Sequence, residues 1–265
     1  MNRTVPPARP RVRPLRRRPM LATGLVTVLA LLCAPAAAQR YADAEELMAA
    51  VEALPEPETL QATLQMTLTG ASGQTLTREM RTWARGDQMR VLKFTAPADI
   101  AGSGFLSIDD GTVSETMVYL PALDRVRRVA GGQRGESFFG SDFSYEDVEG
   151  LDPADYRHVL LEVRDGPVYI LEASALPEAG SVYDRLVLEV PEATLIPTRV
   201  TYYRGGQAVK ELTVREVTEV GGYLLPLERR METLERGTFT VIRQSDLTLD
   251  ETLPDELFSE RFLRR

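Results

Sequence analysis

From residue 60 to residue 244 the chain alternates apolar and polar positions, the signature of strands with one face buried. Leu60–Leu68 opens the series and Gly70–Gly73 turns it. Gln74–Arg85 and Gln88–Phe94 read as a hairpin around Gly86-Asp87. Phe105–Ile108 and Val113–Leu120 flank Asp109-Asp110-Gly111, a strong turn signal. Arg125–Val129 is a short strand with basic outward positions, and His158–Arg164 and Val168–Ala173 flank Asp165-Gly166-Pro167. Tyr183–Val190 continues the series. Two further hairpins follow: Arg199–Tyr203 with Val209–Glu216 around Gly205-Gly206, and Glu228–Glu235 with Thr238–Gln244 around Arg236-Gly237. Each opens on a similar string, Leu195-Ile196-Pro197-Thr198-Arg199 and Leu224-Leu225-Pro226-Leu227-Glu228, and Gly221-Gly222 reads as the spacer between them. Two such units are too few for a solenoid.

Helical spacing is confined to the ends. Asp43–Ala53 carries acids in its first turn, places Leu47, Val51 and Leu54 on one face, and stops before Pro55 and Pro57. Pro254–Phe262 predicts a terminal helix with Leu257, Phe258 and Phe262 as its apolar face. The expectation is a mainly β protein of about ten to twelve antiparallel strands, curled into a barrel or a strongly bent sheet. Strands and helices do not alternate, which argues against a parallel α/β fold.

One stretch breaks the alternation. Ser137–Asp147 holds Phe138, Phe139, Phe143 and Tyr145 among glycines and serines, with neither a strand nor a helix period. A loop so rich in large rings must seat them in a core or on a ligand. With its neighbours it forms a recognisable set: Lys93-Phe94-x-x-Pro97, Gly102-x-Gly104-Phe105-Leu106, Tyr119-Leu120-Pro121, and Ser137-Phe138-x-Gly140-Ser141-x-Phe143-x-Tyr145-Glu146-Asp147. Together these resemble the LolA-like family of periplasmic outer-membrane lipoprotein-sorting proteins, found beside RND-type lipid exporters. The resemblance runs from about residue 43 to the end. It implies a half-open antiparallel β-barrel with a helical lid, whose cavity holds acyl chains.

The first 38 residues read as a leader. Seven arginines between Arg3 and Arg18 precede the apolar run Met20–Cys33, and Ala36-Ala37-Ala38 precedes Gln39 as a cleavage site. That run is shorter than the ~20 residues of a spanning helix, so cleavage after Ala38 is expected rather than retention as an anchor. Leu32 before Cys33 does not suit a lipidation box, and Arg17-Arg18 only weakly resembles a twin-arginine signal. Loss of the seven arginines takes the formal charge from −8 to −15 and removes the one cysteine. The remainder, 39–265, reads as a single domain in an oxidising compartment, the periplasm. Its acidity suits neither nucleic acid nor an anionic membrane surface.

Catalytic chemistry finds little support. His158 is the one histidine and sits in a strand pattern, with no G-x-S-x-G elbow to present a serine. One histidine cannot furnish a usual zinc site, and neither a phosphate-binding loop nor a dinucleotide fingerprint is present. Gly102-Ser103-Gly104 reads instead as the start of a strand. Asp109-Asp110, Asp142 and Glu146-Asp147 are the candidate carboxylates for a hydrolase or for calcium, but they lack the calcium-loop spacing. The sequence therefore predicts a non-enzymatic protein with no cofactor and no metal.

A carrier of acyl chains is the leading expectation. Each methylene left in water costs about 0.8 kcal/mol, so a lipid does not cross an aqueous gap unaided. The candidate wall or gate residues are Trp83, Met89, Phe105, Met117, Tyr119, Phe138, Phe139, Phe143 and Tyr145, because soft apolar contacts tolerate many acyl poses. The same residues are also what an ordinary filled core would use. That competing reading makes the protein a docking module of an envelope transporter. The expected partners are an acylated lipid or lipoprotein cargo and, from the resemblance alone, an RND-type exporter of the inner membrane. The chain is expected to act as a monomer.

Overall fold

The computed structural model describes Met1 and residues 39–109, 111 and 114–265. The expected leader, with Cys33 and Arg17-Arg18, lies outside the described residues, as do Asp110 and Val113 of the expected hairpin.

The first helix, α1 (Ala44–Glu52), forms where the sequence places it. The Asp43 side chain accepts a hydrogen bond from the Glu46 amide at 3.0 Å, and Glu45 and Glu46 sit in the first turn. Six strands precede the aromatic segment: β1 (Thr59–Thr69), β2 (Thr75–Arg85), β3 (Met89–Ala96), β4 (Gly104–Asp109), β5 (Ser114–Leu120) and β6 (Arg125–Arg128). Seven follow it: β7 (Tyr156–Arg164), β8 (Val168–Ala175), β9 (Arg185–Pro191), β10 (Arg199–Arg204), β11 (Gln207–Val220), β12 (Tyr223–Thr233) and β13 (Thr238–Leu249).

All thirteen belong to one sheet in the order β6-β5-β4-β3-β2-β1-β13-β12-β11-β10-β9-β8-β7, one strand more than the upper expectation. Neighbours in the sheet are neighbours in sequence except β1 and β13, which pair antiparallel from Leu60↔Leu249 to Thr69↔Phe239. The chain therefore follows a curved meander that does not close. Its two free edges, β6 and β7, are consecutive in sequence. Gly221-Gly222 is not a spacer: it is the tight turn joining β11 to β12, with φ of 61° and 92°. Both central residues of such a turn need positive φ, which glycine supplies without steric cost.

Alternation along the strands splits the side chains between two faces. Leu64 and Met66 of β1, Met80 of β2, Leu92 and Phe94 of β3, and Phe105 of β4 share the inner core. Val91 and Leu106, their neighbours in sequence, lie on the outer face with Trp83, Met117, Tyr119, Phe258 and Leu263. Helix α1 packs on the inner face of β8 and β9. Leu47 is fully buried beside Tyr169, Leu171 and Val190, a burial of ~2 kcal/mol, and Ala173, two residues beyond Leu171, belongs to the inner core.

The C-terminus covers the outer face as two short pieces rather than one helix. A single turn at Asp255–Phe258 is followed by α3 (Glu260–Leu263), whose first turn is capped by the Ser259 hydroxyl accepting from the Phe262 amide at 3.2 Å. Leu263 is fully buried, and a Cβ on Gly104 would sit 2.6 Å from its Cδ1. The Lys93 ammonium donates to the carbonyls of Leu263 and Gly102, at 2.7 and 2.8 Å. The Lys93 and Gly104 positions of the family pattern thus seat the C-terminus against β3 and β4.

Candidate functional site

Residues 129–155 carry the chain across the gap between the free edges β6 and β7. The segment is not a loop throughout. Phe138–Gly140 forms a single turn, and α2 (Tyr145–Glu149) is a short helix capped reciprocally by Ser144 and Asp147. Phe139 sits in the left-handed region with φ of 49°, a conformation rare for a bulky side chain. Arg78 donates to its carbonyl.

The rings of this plug pack into the inner core. Phe138 is 5.5 Å from Phe105 and 6.0 Å from Tyr145, centroid to centroid, and Phe139 lies 4.7 Å from Phe94. Carboxylates of the same segment latch the plug to both sides of the gap. On the β5–β6 side, Glu136 pairs with Arg127 at 3.1 Å and Glu149 accepts from the Thr116 hydroxyl at 2.6 Å. On the other side, Glu146 accepts from the Val182 amide at 2.9 Å, and Asp147 accepts from the Tyr183 hydroxyl and from Lys210, each at 2.9 Å. Asp142 accepts from the hydroxyls of Thr233, Thr238 and Thr240 on β12 and β13. Burial first, then the Asp147 charge, pushes the Tyr183 phenol far above its usual value. Asp142, Glu146 and Asp147, the carboxylates that counted as catalytic candidates, are thus engaged by protein donors.

Between this plug and the α1–β1 linker lies a cavity of ≈850 Å³. Its wall is mostly aliphatic and aromatic: Leu60 and Leu64 of β1, Met80 of β2, Leu92 of β3, Leu212 of β11, Leu225 and Met231 of β12, and Ile242 of β13. Phe138, Phe143 and Val148 contribute from the plug, and Leu54, Pro55 and Pro57 from the linker. Two arginines face the same space. Arg90 occupies the inward register of β3, followed by Leu92 and Phe94; Arg229 occupies that of β12, between Leu227 and Met231. Both are half-buried because they look into the cavity. The surrounding protein still strips them of water. Desolvation lowers the Arg90 pKa, with Glu56 opposing it. Desolvation and the Arg90 charge bring Arg229 down to about 10. Tyr202, also on the wall, is pushed well up by burial and by Asp147.

Of the nine residues singled out in the sequence, Phe138 and Phe143 line the cavity. Phe105, Phe139 and Tyr145 belong to the core that backs the plug. Trp83, Met89, Met117 and Tyr119 sit on the outer face beneath the C-terminus, where Trp83 meets Phe262 edge-on at 5.6 Å. His158 lies on β7 facing α1, its pKa lowered by burial despite the Glu52 charge. Sequence reasoning missed Arg90 and Arg229. The available signal was a charged residue interrupting the apolar register of a strand. Among the described residues there is no cluster of three His, Cys, Asp or Glu side chains able to hold a metal ion, and no helix long and apolar enough to cross a membrane.

Solved structures share this fold. A putative outer-membrane lipoprotein-sorting protein domain from Vibrio parahaemolyticus is 27% identical, with a TM-score of 0.77 over 83% of this chain and 97% of that one. A LolA superfamily protein from Nitrosomonas europaea, at 19% identity, shares the fold with a TM-score of 0.69 over 84% of this chain and 100% of that one. The chain has the LolA-like fold. A DUF1329 family protein from Desulfovibrio piger is also similar, 29% identical with a TM-score of 0.77 over 82% of this chain and 96% of that one. A family model described as an uncharacterized protein matches residues 86–265, and the chain belongs to that family. No curated protein matches the sequence. The half-open barrel that the sequence motifs implied is the fold observed.

Proposed function

We propose that this LolA-like protein is a periplasmic carrier. It shields the acyl chains of a lipid or lipoprotein inside its bent sheet, for sorting to the outer membrane or for export through a transporter. One observation carries the reading: a cavity of ≈850 Å³ with a mostly apolar wall, lined by seven strands of the sheet, the plug and the linker that follows α1. Ligand cavities typically measure ~300–1,000 Å³ and combine an apolar wall with a few polar groups. A void of this size supports a carrier over a docking module with a filled core. Phe138 and Phe143 form part of the wall, and Phe105, Phe139 and Tyr145 hold the plug that gates it. The protein works as a monomer, without catalysis or cofactor, and hands its cargo to an inner-membrane exporter of the RND type or receives it from one.

Uptake of a fluorescent fatty acid tests the reading. Tryptophan at Leu64, Leu212 and Leu225 together fills the cavity from three strands and should weaken uptake at least about tenfold, because an overpacked site excludes the ligand. Unchanged uptake by a folded triple variant would place the acyl chain elsewhere and defeat the proposal.

A further inference from the structure

Buried cations are normally paired, because leaving one unpaired in a dry site is costly. Arg90 and Arg229 depart from that rule. Both project into the cavity from inward positions flanked by Leu, Phe and Met. Among the described residues neither lies within 4.0 Å of a carboxylate. Glu56 acts on Arg90 only through its longer-range field, Asp147 is engaged by Lys210 and Tyr183, and Glu219 stands near the β11–β12 turn. The Arg90 guanidinium is close enough for its charge to act on Arg229. The Tyr202 side chain lies within the field of Arg229 on the same wall. An acidic chain that turns two positive charges into an apolar pocket holds them ready for an anion.

We propose that Arg90 and Arg229 bind the anionic head group of the cargo while its acyl chain occupies the Leu- and Met-lined remainder of the cavity. This deepens the carrier reading and rests on it. The preferred cargo is then a negatively charged amphiphile, bearing a carboxylate or a phosphate. A neutral acyl group, such as the thioether-linked, ester- and amide-bearing anchor of a lipoprotein, is disfavoured. Guanidinium groups suit both anions, since their fork of N–H donors matches two oxygens at once.

The test uses the protein exported with its own leader and three probes of equal chain length: a fatty acid, its methyl ester and a lysophosphatidate. At mildly alkaline pH the acid is ionised while the ester stays neutral. The wild type should prefer the acid over the ester by about tenfold to hundredfold, the range that charge-assisted hydrogen bonds supply. The double variant Arg90→Met, Arg229→Met should lose that preference while still taking the ester, and Arg90→Lys, Arg229→Lys should keep most of it. Whichever of the acid and the lysophosphatidate binds more tightly to the wild type identifies carboxylate or phosphate as the source of the anion. Equal binding of acid and ester by the wild type overturns the anion site and leaves the carrier reading standing. Failure of all three probes to bind overturns both. The wild-type comparison decides the matter even where a variant does not fold.

Discussion

Replacing Arg229 with methionine should make the ligand-free protein more stable. The side chain carries its charge in a half-enclosed apolar cavity, and burial together with the neighbouring Arg90 charge brings its pKa to about 10. Ordinary arginine titrates at ~12.5 or above, and each tenfold change in proton affinity is ~1.36 kcal/mol, which sets an upper bound of ~3 kcal/mol. The group is open to a space of ≈850 Å³ that admits water. Screening therefore reduces the gain to about 1–2 kcal/mol. Methionine keeps the apolar stem of the arginine and discards the charge. The folded-state pKa is depressed, so the penalty is fully present below pH 10 and relieved as pH climbs towards the ordinary arginine value. Urea unfolding at neutral pH and low salt is the assay. Arg229→Met should raise the unfolding free energy by about 1–2 kcal/mol with an unchanged slope. Adding Arg90→Met should gain less than the sum of the two single effects, because their mutual repulsion can be relieved only once. A loss of more than about 1 kcal/mol on Arg229→Met would refute the reasoning, since it would mean that the charge is satisfied in the empty protein.

Three further outcomes follow from the latches and the two faces. Asp142→Ala strands the hydroxyls of Thr233, Thr238 and Thr240 and should cost about 2–4 kcal/mol by chemical denaturation, with amide exchange rising first in residues 137–149. Lys210→Met leaves the buried Asp147 carboxylate without its cation and should cost about 3–5 kcal/mol; a change below about 1 kcal/mol would show that the pair holds nothing. Trp83→Ala empties a site under Phe258 and Phe262 on the outer face. It should destabilise by about 3–5 kcal/mol yet leave the acyl-probe affinity of the folded fraction unchanged, and a large affinity loss would bring Trp83 back as a cavity residue.

Much of this architecture is legible in the sequence because a half-buried sheet writes itself as alternation. The hairpins at Gly86-Asp87 and Gly205-Gly206 and the helix capped by Asp43 fall where turn chemistry and capping place them. Alternation does not say which apolar row faces which side. Trp83 and Met80 are both buried, and only tertiary packing sends Met80 to the cavity and Trp83 to the C-terminal turn. The plug was visible as a cluster of rings, whereas its acids read as possible chemistry because their partners, Thr233, Tyr183 and Lys210, are remote in sequence. Arg90 and Arg229 escaped for the opposite reason. A charge in a strand is ordinarily taken to point outward, so an inward charge is recognised only when the neighbouring register is known.

The central claim, that this chain carries an acylated cargo, is tested most directly by native mass spectrometry of the protein purified from its native host, with extraction and identification of whatever is bound. The account predicts one acylated, negatively charged molecule per chain. That molecule should be lost from the Leu64→Trp, Leu212→Trp, Leu225→Trp variant. A folded protein that emerges empty, and that takes up neither fatty acids nor acylated peptides when these are supplied, would contradict it.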